Sequence, residues 1–164
     1  MINDTLHFLA DELNKHLLQA CELSAAPVIV SPLTNADGSL VGAIENKLVL
    51  TLVNIAIPVS LRDEELPSSG RGTAAPLSNV LMAVLLSANF NAASYGEGMK
   101  ILSAGMLFLQ QYPLFHLPAK PPASNGTRFT VELNNISAEE NFYLWSKLGA
   151  RYQPSVNYTI RTVL

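Results

Sequence analysis

Two long apolar segments restrict the fold of this chain more than any other feature of its sequence. They are KLVLTLVNIAIPV at residues 47–59 and NVLMAVLLSANF at residues 79–90, and their richness in Val, Ile and Leu predicts β-strands. A strand that is apolar on both sides must be covered on both sides, either by loops of its own chain or by a neighbouring subunit. In the first segment one side carries Leu48, Leu50 and Leu52, and the other carries Val49, Val53, Ile55 and Ile57.

The opening of the chain predicts a helix that docks by one side. Asn3 or Asp4 can cap its start, because a side-chain oxygen there accepts a hydrogen bond from a free N–H of the first turn. The opposite side is polar, as expected for a surface helix. The apolar stripe, at helical spacing, consists of Leu6, Leu9, Leu13, Leu17 and Ala20.

Two capping boxes, Ser94 with Glu97 and Ser137 with Glu140, predict the starts of two further helices. The first of them ends before Pro113, and each glycine inside it weakens it by about 1 kcal/mol relative to alanine. We expect these glycines to admit the close approach of another backbone. The last helix is short and ends at a glycine. The apolar stripe of the first helix is Tyr95, Met99, Leu102, Met106 and Leu109, its glycines are Gly96, Gly98 and Gly105, and the terminal glycine of the last helix is Gly149.

The remaining pattern completes one α+β (mixed α/β) domain over residues 1–164. Residues 128–133 form a predicted strand, and residues 155–164 alternate between apolar and polar side chains more regularly than any other segment. Pro58 has no N–H to donate, so its end of the strand should lie at a sheet edge or leave the sheet. The order of elements predicts a mixed sheet of about four to five strands packed with three helices.

Two irregular segments separate these elements, at residues 61–76 and 112–127. Long loops without internal structure are uncommon in compact domains and are usually mobile or functional. The first combines a charged patch with SSGRGTAAP, and we expect it to contact a partner. The candidate interface residues are Arg62, Asp63, Glu64, Glu65 and Arg71.

Composition argues against several classes of partner. Charged residues make up only 14% of the chain, against about 25% in typical soluble proteins, which indicates that apolar surface is covered by the fold or by another subunit. The net charge is −3 and the cations are scattered, so we expect no nucleic-acid partner. The opening MINDTLHFLADELNK has no signal-peptide pattern and no apolar run is long enough for a membrane span, so we expect synthesis in the cytoplasm without membrane insertion.

No catalytic or metal-binding motif stands out, so we expect no enzyme activity, cofactor or metal. Cys21 has no flanking histidine motif and is better explained as a small apolar residue. His7 and His16 are too far apart on one helix to share a metal ion. His116, between two apolar residues, is better explained by packing. An enzyme with a site built from dispersed residues stays an alternative, in which changing His116 or Glu64 abolishes turnover.

Three passages together resemble the cap or tail-terminator family of bacterial contractile injection systems. These are phage-tail-like particles with an inner tube, a contractile sheath and a baseplate. The passages are IENKLVLTLVNIAIPVSLRDE at 44–64, NVLMAVLLSANFNAASYGEGMKILSAGMLFLQ at 79–110 and YLWSKLGARYQPSVNYTIRTVL at 143–164. Their most specific parts are the W-x-x-L-G-x-x-Y-x-P-S-x-x-Y run and the S-A-N-F…Y join, which are structural motifs. Some relatives carry a further C-terminal domain, and we expect this chain to be the version without it.

The resemblance implies a structural role with a set of protein partners. The chain would be a subunit of a ring, commonly a hexamer, on the distal end of the tube and sheath, where it ends their polymerisation. Its partners would be its own copies and the tube and sheath proteins, and the particle would be either released from the cell or anchored to a membrane. The alternative function is an assembly chaperone or adaptor that holds tube or sheath subunits and leaves afterwards.

Overall fold

The two long apolar segments lie side by side in one six-stranded sheet. The computed structural model describes residues 1–57, 79–118 and 126–163. The helices are α1 (Ile2–Ala20), α2 (Tyr95–Gln111) and α3 (Ala138–Leu148). The strands are β1 (Val28–Val30), β2 (Lys47–Ala56), β3 (Asn79–Asn89), β4 (Leu114–Leu117), β5 (Thr127–Leu133) and β6 (Ser155–Val163).

The sheet order, β1-β2-β3-β6-β5-β4, confirms the predicted mixed α+β architecture. Only β1 and β2 pair in parallel, and every other neighbouring pair is antiparallel. The strand number exceeds the expected four to five because both edge strands are very short. β1 has three residues and β4 has four, which is too few for alternation to be recognised in the sequence.

Helices α1 and α2 cover one face of the sheet and form the main core with it. The stripe of α1 is buried as predicted, except that Ala20 at its end is exposed. Phe129 on β5 is fully buried, with its ring stacked on Phe115 of β4 at 5.2 Å between centroids. The sheet contributes Leu48, Leu50, Met82, Val84, Leu86, Phe129, Val131 and Ile160 to this core.

A β-bulge in β2 changes the predicted side of one residue. The register between β2 and β3 shifts between Leu52 and Asn54, so that Ile55 pairs with Met82. Paired residues of an antiparallel ladder point to the same face, and Met82 belongs to the main core. Ile55 therefore lies on the α1–α2 face of the sheet and not on the side of Val49, because the bulge inserts one extra residue.

The opposite face of the sheet is covered at one end by the chain itself. A second apolar cluster there combines Leu33 and Ile44 from the segment after β1 with Trp145 from α3. They pack on Val49 and Leu85, so these strand residues need no neighbouring subunit for cover. Farther along, this face is polar and partly or fully exposed, with Thr130, Glu132, Thr159 and Arg161.

The helix starts differ from the predictions in two of three cases. α1 begins at Ile2, so neither Asn3 nor Asp4 is its N-cap; Asp4 instead accepts a hydrogen bond from the Met1 amino group at 3.0 Å. Ser94 precedes α2 but its side chain makes no capping hydrogen bond, because its backbone lies at φ −105° and ψ 7° instead of in the extended region. The Ser137–Glu140 box at the start of α3 is formed as predicted.

Two of the three glycines of α2 face side chains and not the second backbone that the sequence suggested, and Gly96 faces open space among the described residues. Gly98 lies against the ring of Phe90, and Gly105 faces Leu13 together with two core leucines of the sheet. Gly98 and Gly105 are both buried. The buried side of α2 differs from the predicted apolar stripe, since Tyr95, which was predicted to belong to it, is 50% exposed. The buried side chains of α2 are Ile101, Leu102, Phe108 and Leu109.

Candidate interaction surface

Helix α3 is capped at both of its ends, and one hydrogen bond joins its last turn to the segment after β1. At its start the Ser137 hydroxyl accepts from the Glu140 backbone N–H at 3.1 Å, and the Glu140 carboxylate accepts from the Ser137 backbone N–H at 2.7 Å. At its end Gly149 adopts the left-handed conformation with φ 64°, which a residue with a Cβ adopts only at a cost. The hydroxyl of Thr34 also donates to the Leu148 carbonyl at 3.0 Å.

Burial of Trp145 orients the other aromatic side chains of α3 and its following loop toward solvent. Trp145 is only 5% exposed, whereas Phe142 is 69% exposed and Tyr143 is 55% exposed. The rings of Phe142 and Tyr143 contact each other at 5.9 Å between centroids. Tyr152 is 62% exposed and its ring meets Trp145 edge-on at 5.5 Å. We call the exposed pair Phe142 and Tyr143 the α3 aromatic surface.

An apolar groove of about 340 Å³ opens between the end of α2 and the ends of β5 and β6. A second depression of about 330 Å³ shares Met106 and Leu133 with it and continues to Ser137 and Asn141 at the start of α3. The first depression, which we call the α2–β5 groove, is lined by Met106, Leu109, Gln110, Pro113, Val131, Glu132, Leu133 and Tyr158. Together the two depressions connect this groove to the helix that carries Phe142 and Tyr143.

Two titratable groups at these surfaces have shifted pKa values. Burial raises the pKa of Tyr158 to about 12, so its hydroxyl stays protonated and the groove gains no charge from it near neutral pH. The backbone N–H of Ser137, and then its hydroxyl, lowers the pKa of Glu140 and keeps that carboxylate ionised. The ion pairs among residues 1–57, 79–118 and 126–163 are Met1 with Asp4 and Lys15 with Glu12, both on α1.

The histidines and the cysteine do not form a reactive cluster in the described part of the chain. His16 stacks on Phe108 at 4.6 Å between centroids, and Cys21 is partly buried against the main core. The expected packing role of His116 is wrong, since β4 alternation buries Phe115 and leaves His116 exposed. Among the described residues, no three His, Cys, Asp or Glu side chains lie close enough to hold a metal ion.

The candidate contacts from the sequence and those from the structure fall on different parts of the chain. Arg62, Asp63, Glu64, Glu65 and Arg71 all lie outside the described residues, as does Pro58. The α3 aromatic surface was missed, although a signal for it exists. Tyr143 precedes Trp145 by two residues, so the two rings lie on opposite sides of the helix and cannot both pack on one sheet.

No helix in the described ranges combines the length and the apolar character that crossing a membrane requires. A comparison with curated proteins gave no match. A family model described as the Pvc16 N-terminal domain matches residues 4–164. The match covers nearly the whole chain, so the chain belongs to this family, which is associated with contractile injection systems.

Proposed function

We propose that this member of the Pvc16 N-terminal domain family is the cap, or terminator, subunit of a contractile injection system. Its copies form a ring, a hexamer in the simplest case, on the distal end of the inner tube and sheath. The ring ends the polymerisation of both. The role is structural, so no turnover is expected, and no cofactor or nucleic acid takes part.

Family membership supports the coarse part of this proposal, a structural protein of such a system. The cap role rests on the resemblance of residues 44–64, 79–110 and 143–164 to tail terminators and on the exposed surface of α3. A protein that ends a polymer must bind the last subunit layer tightly and offer no equivalent site for the next one. A preformed helix with exposed aromatic side chains suits the first of these requirements.

The α3 aromatic surface is the structural observation that carries the proposal. Large exposed aromatic side chains are costly on a monomer, and aromatic residues are enriched at the centres of protein interfaces. Truncation of such residues typically costs 2 kcal/mol or more of binding free energy where they fill a pocket of the partner. Because α3 is capped at both ends, the helix that carries these rings is already formed before binding.

Ring formation needs two different patches on each subunit. A heterologous interface joins the front of one copy to the back of the next, and it closes into a ring when the rotation between copies is a whole fraction of a turn. A stable interface buries about 800 Å² on each partner. The α3 aromatic surface can provide the core of one patch, and we propose the segment with Arg62 and Arg71 for contacts to tube or sheath.

Particle length provides the test of this function. Deletion of the chain from a producing strain should give tubes and sheaths without a defined length, measured by electron microscopy of purified particles. The double variant Phe142→Ser/Tyr143→Ser should fold, because both side chains are exposed, yet should not restore the wild-type length. The matched control is Lys147→Ser, an exposed change on the same helix, which should restore it.

The outcomes separate the proposal from its alternative. A deletion strain whose particles keep their normal length would contradict the cap function. An assembly chaperone would be needed during assembly but absent from finished particles, so mass spectrometry of purified particles identifies it. Full restoration by the double variant would show that the α3 aromatic surface is not the contact.

A further inference from the structure

The two edges of the sheet differ in whether another strand can add to them. At the β1 edge the side chain of Asn14 from α1 bonds both backbone groups of Val28. Its Nδ2 donates to the Val28 carbonyl at 3.0 Å and its Oδ1 accepts from the Val28 N–H at 2.8 Å. Pro27 and Ser31 bond to β2, and residues of a strand alternate in the side to which their backbone groups point, so the backbone groups of Val28 and Val30 point outward. At Val28 the amide of Asn14 therefore occupies the place of an added strand, and covering outward backbone groups is one way that sheets protect their edges.

The β4 edge carries no such protection among the described residues. The N–H of Val131 donates to the carbonyl of Pro113 at 2.8 Å, which fixes the alternation of the β4–β5 ladder. Phe115 and Leu117 then exchange hydrogen bonds with β5, whereas the N–H and C=O groups of Leu114 and His116 point away from it. Within residues 1–57, 79–118 and 126–163 these four groups have no hydrogen-bond partner.

The α2–β5 groove lies next to this open edge. Pro113, which precedes β4, is part of its lining, and the exposed Leu114 follows directly. β5 continues to Leu133, beyond the β4 pairing that ends at Thr130. The groove is mainly apolar. Unpaired backbone groups beside an apolar groove match an extended peptide, in which backbone bonds give affinity and one inserted side chain gives specificity.

A second copy of this chain does not suit the β4 edge. A head-to-tail ring that continued the sheet would need β4 of one copy beside β1 of the next, where Asn14 already occupies the outward groups of Val28. Pairing β4 with β4 would give a twofold contact, which is isologous and does not build a cyclic ring of six. A strand from a different protein meets neither restriction.

We propose that the β4 edge receives an extended segment of another protein of the particle by strand addition, with an apolar side chain of that segment in the α2–β5 groove. The identity of the partner rests on the proposed function, because the tube and sheath proteins are the chains that a cap meets. The open edge itself follows from the geometry of this chain.

Hydrogen exchange of the free protein tests whether the edge is open. The amides of Leu114 and His116 should exchange rapidly, and those of Phe115 and Leu117 slowly, measured residue by residue by NMR. Protection of Leu114 and His116 in the free protein would overturn the proposal, because the chain itself would then cover the edge. Protection that appears only at high protein concentration would also overturn it, in favour of a second copy.

Co-sedimentation with assembled tube–sheath particles tests the partner. His116→Pro removes an outward N–H, and proline is tolerated on edge strands at such positions, so the fold should persist. Its binding should fall at least about tenfold, the equivalent of about 1.4 kcal/mol, while His116→Ala, which keeps the N–H, should bind as the wild type does. Leu133→Lys, which places a charge in the groove at an exposed position, should lose binding similarly.

The outcomes distinguish this proposal from the cap function. If His116→Pro and Leu133→Lys both co-sediment with the particles as strongly as the wild type does, strand addition is overturned. This holds even if the native mass shows that the protein forms its ring normally. A wild-type protein that never co-sediments would contradict the cap function and the partner named here. Rapid exchange at Leu114 and His116 would in that case still establish the open edge.

Discussion

The two buried glycines of α2 should respond in opposite directions to the same substitution. A methyl group at Gly105 would lie 3.7 Å from Leu13 Cδ2, 3.8 Å from Leu48 Cδ1 and 3.9 Å from Leu86 Cδ2, which is ordinary van der Waals contact. A methyl group at Gly98 would lie 2.6 Å from Phe90 Cδ2 and Cγ and 3.0 Å from its Cβ. The first position has room for the added carbon and the second does not.

The free energies follow from helix propensity and packing. Gly105→Ala gains about 1 kcal/mol of helix propensity and about 0.8 kcal/mol from one buried methyl group. We therefore expect the free energy of unfolding to rise by about 1 to 2 kcal/mol. Gly98→Ala gains less from propensity because it lies in the first turns of α2, and moving Phe90 costs about 1 to 3 kcal/mol. We expect a net loss of about 1 kcal/mol.

Urea unfolding of the two variants and the wild type measures both changes. Thermal midpoints should move by about 2 to 4 °C for each kcal/mol in a chain of this length. The double variant Gly98→Ala/Phe90→Leu is a control, since a smaller side chain at residue 90 should recover part of the loss. Destabilisation by Gly105→Ala, or stabilisation by Gly98→Ala, would refute the packing that the structure assigns to α2.

Three further predictions concern polar groups. Asn14→Ala should lower the free energy of unfolding by about 2 kcal/mol, because it removes two hydrogen bonds to Val28; an unchanged urea midpoint would show that these two bonds do not stabilise the fold. Ser87→Ala should be neutral or raise the urea midpoint, since the buried Ser87 hydroxyl has no hydrogen-bond partner among the described residues; a large fall in the midpoint would contradict this. Because the Ser137 N–H lowers the pKa of Glu140, the stabilisation from this carboxylate should be present above its unfolded pKa, near 4.5, and be lost as the pH falls through its folded pKa. The stability difference between wild type and Glu140→Gln should therefore shrink in acid, and a difference that is constant with pH would contradict this.

The sequence predicted the elements that have long or regular patterns. The stripe of α1 and the alternation of β6 appear as expected, because periodicity over many residues reports which side is buried. The Ser137–Glu140 box also succeeded, since Ser137 has the extended backbone that capping needs. Ser94 has the same local sequence signal but a different backbone conformation, set by the turn that follows β3. The predicted capping box at Ser94 is therefore wrong.

The features that were missed depend on contacts between distant residues. The bulge that moves Ile55 to the other face is a property of the β2–β3 pair and has no signal in β2 alone. Asn14 and Val28 are 14 residues apart, and their bond exists only because α1 crosses the β1 edge. The exposure of Phe142 depends on which side of α3 faces the sheet, and the burial of Trp145 decides that.

The native mass of the purified protein, alone and mixed with its tube subunit, tests the central claim most directly. The account predicts a sixfold species in at least one of the two samples, visible as a ring by negative-stain electron microscopy. A monomer or dimer that holds soluble tube or sheath subunits without forming a ring would indicate a chaperone instead. A monomer that ignores the tube subunit would contradict the cap function altogether.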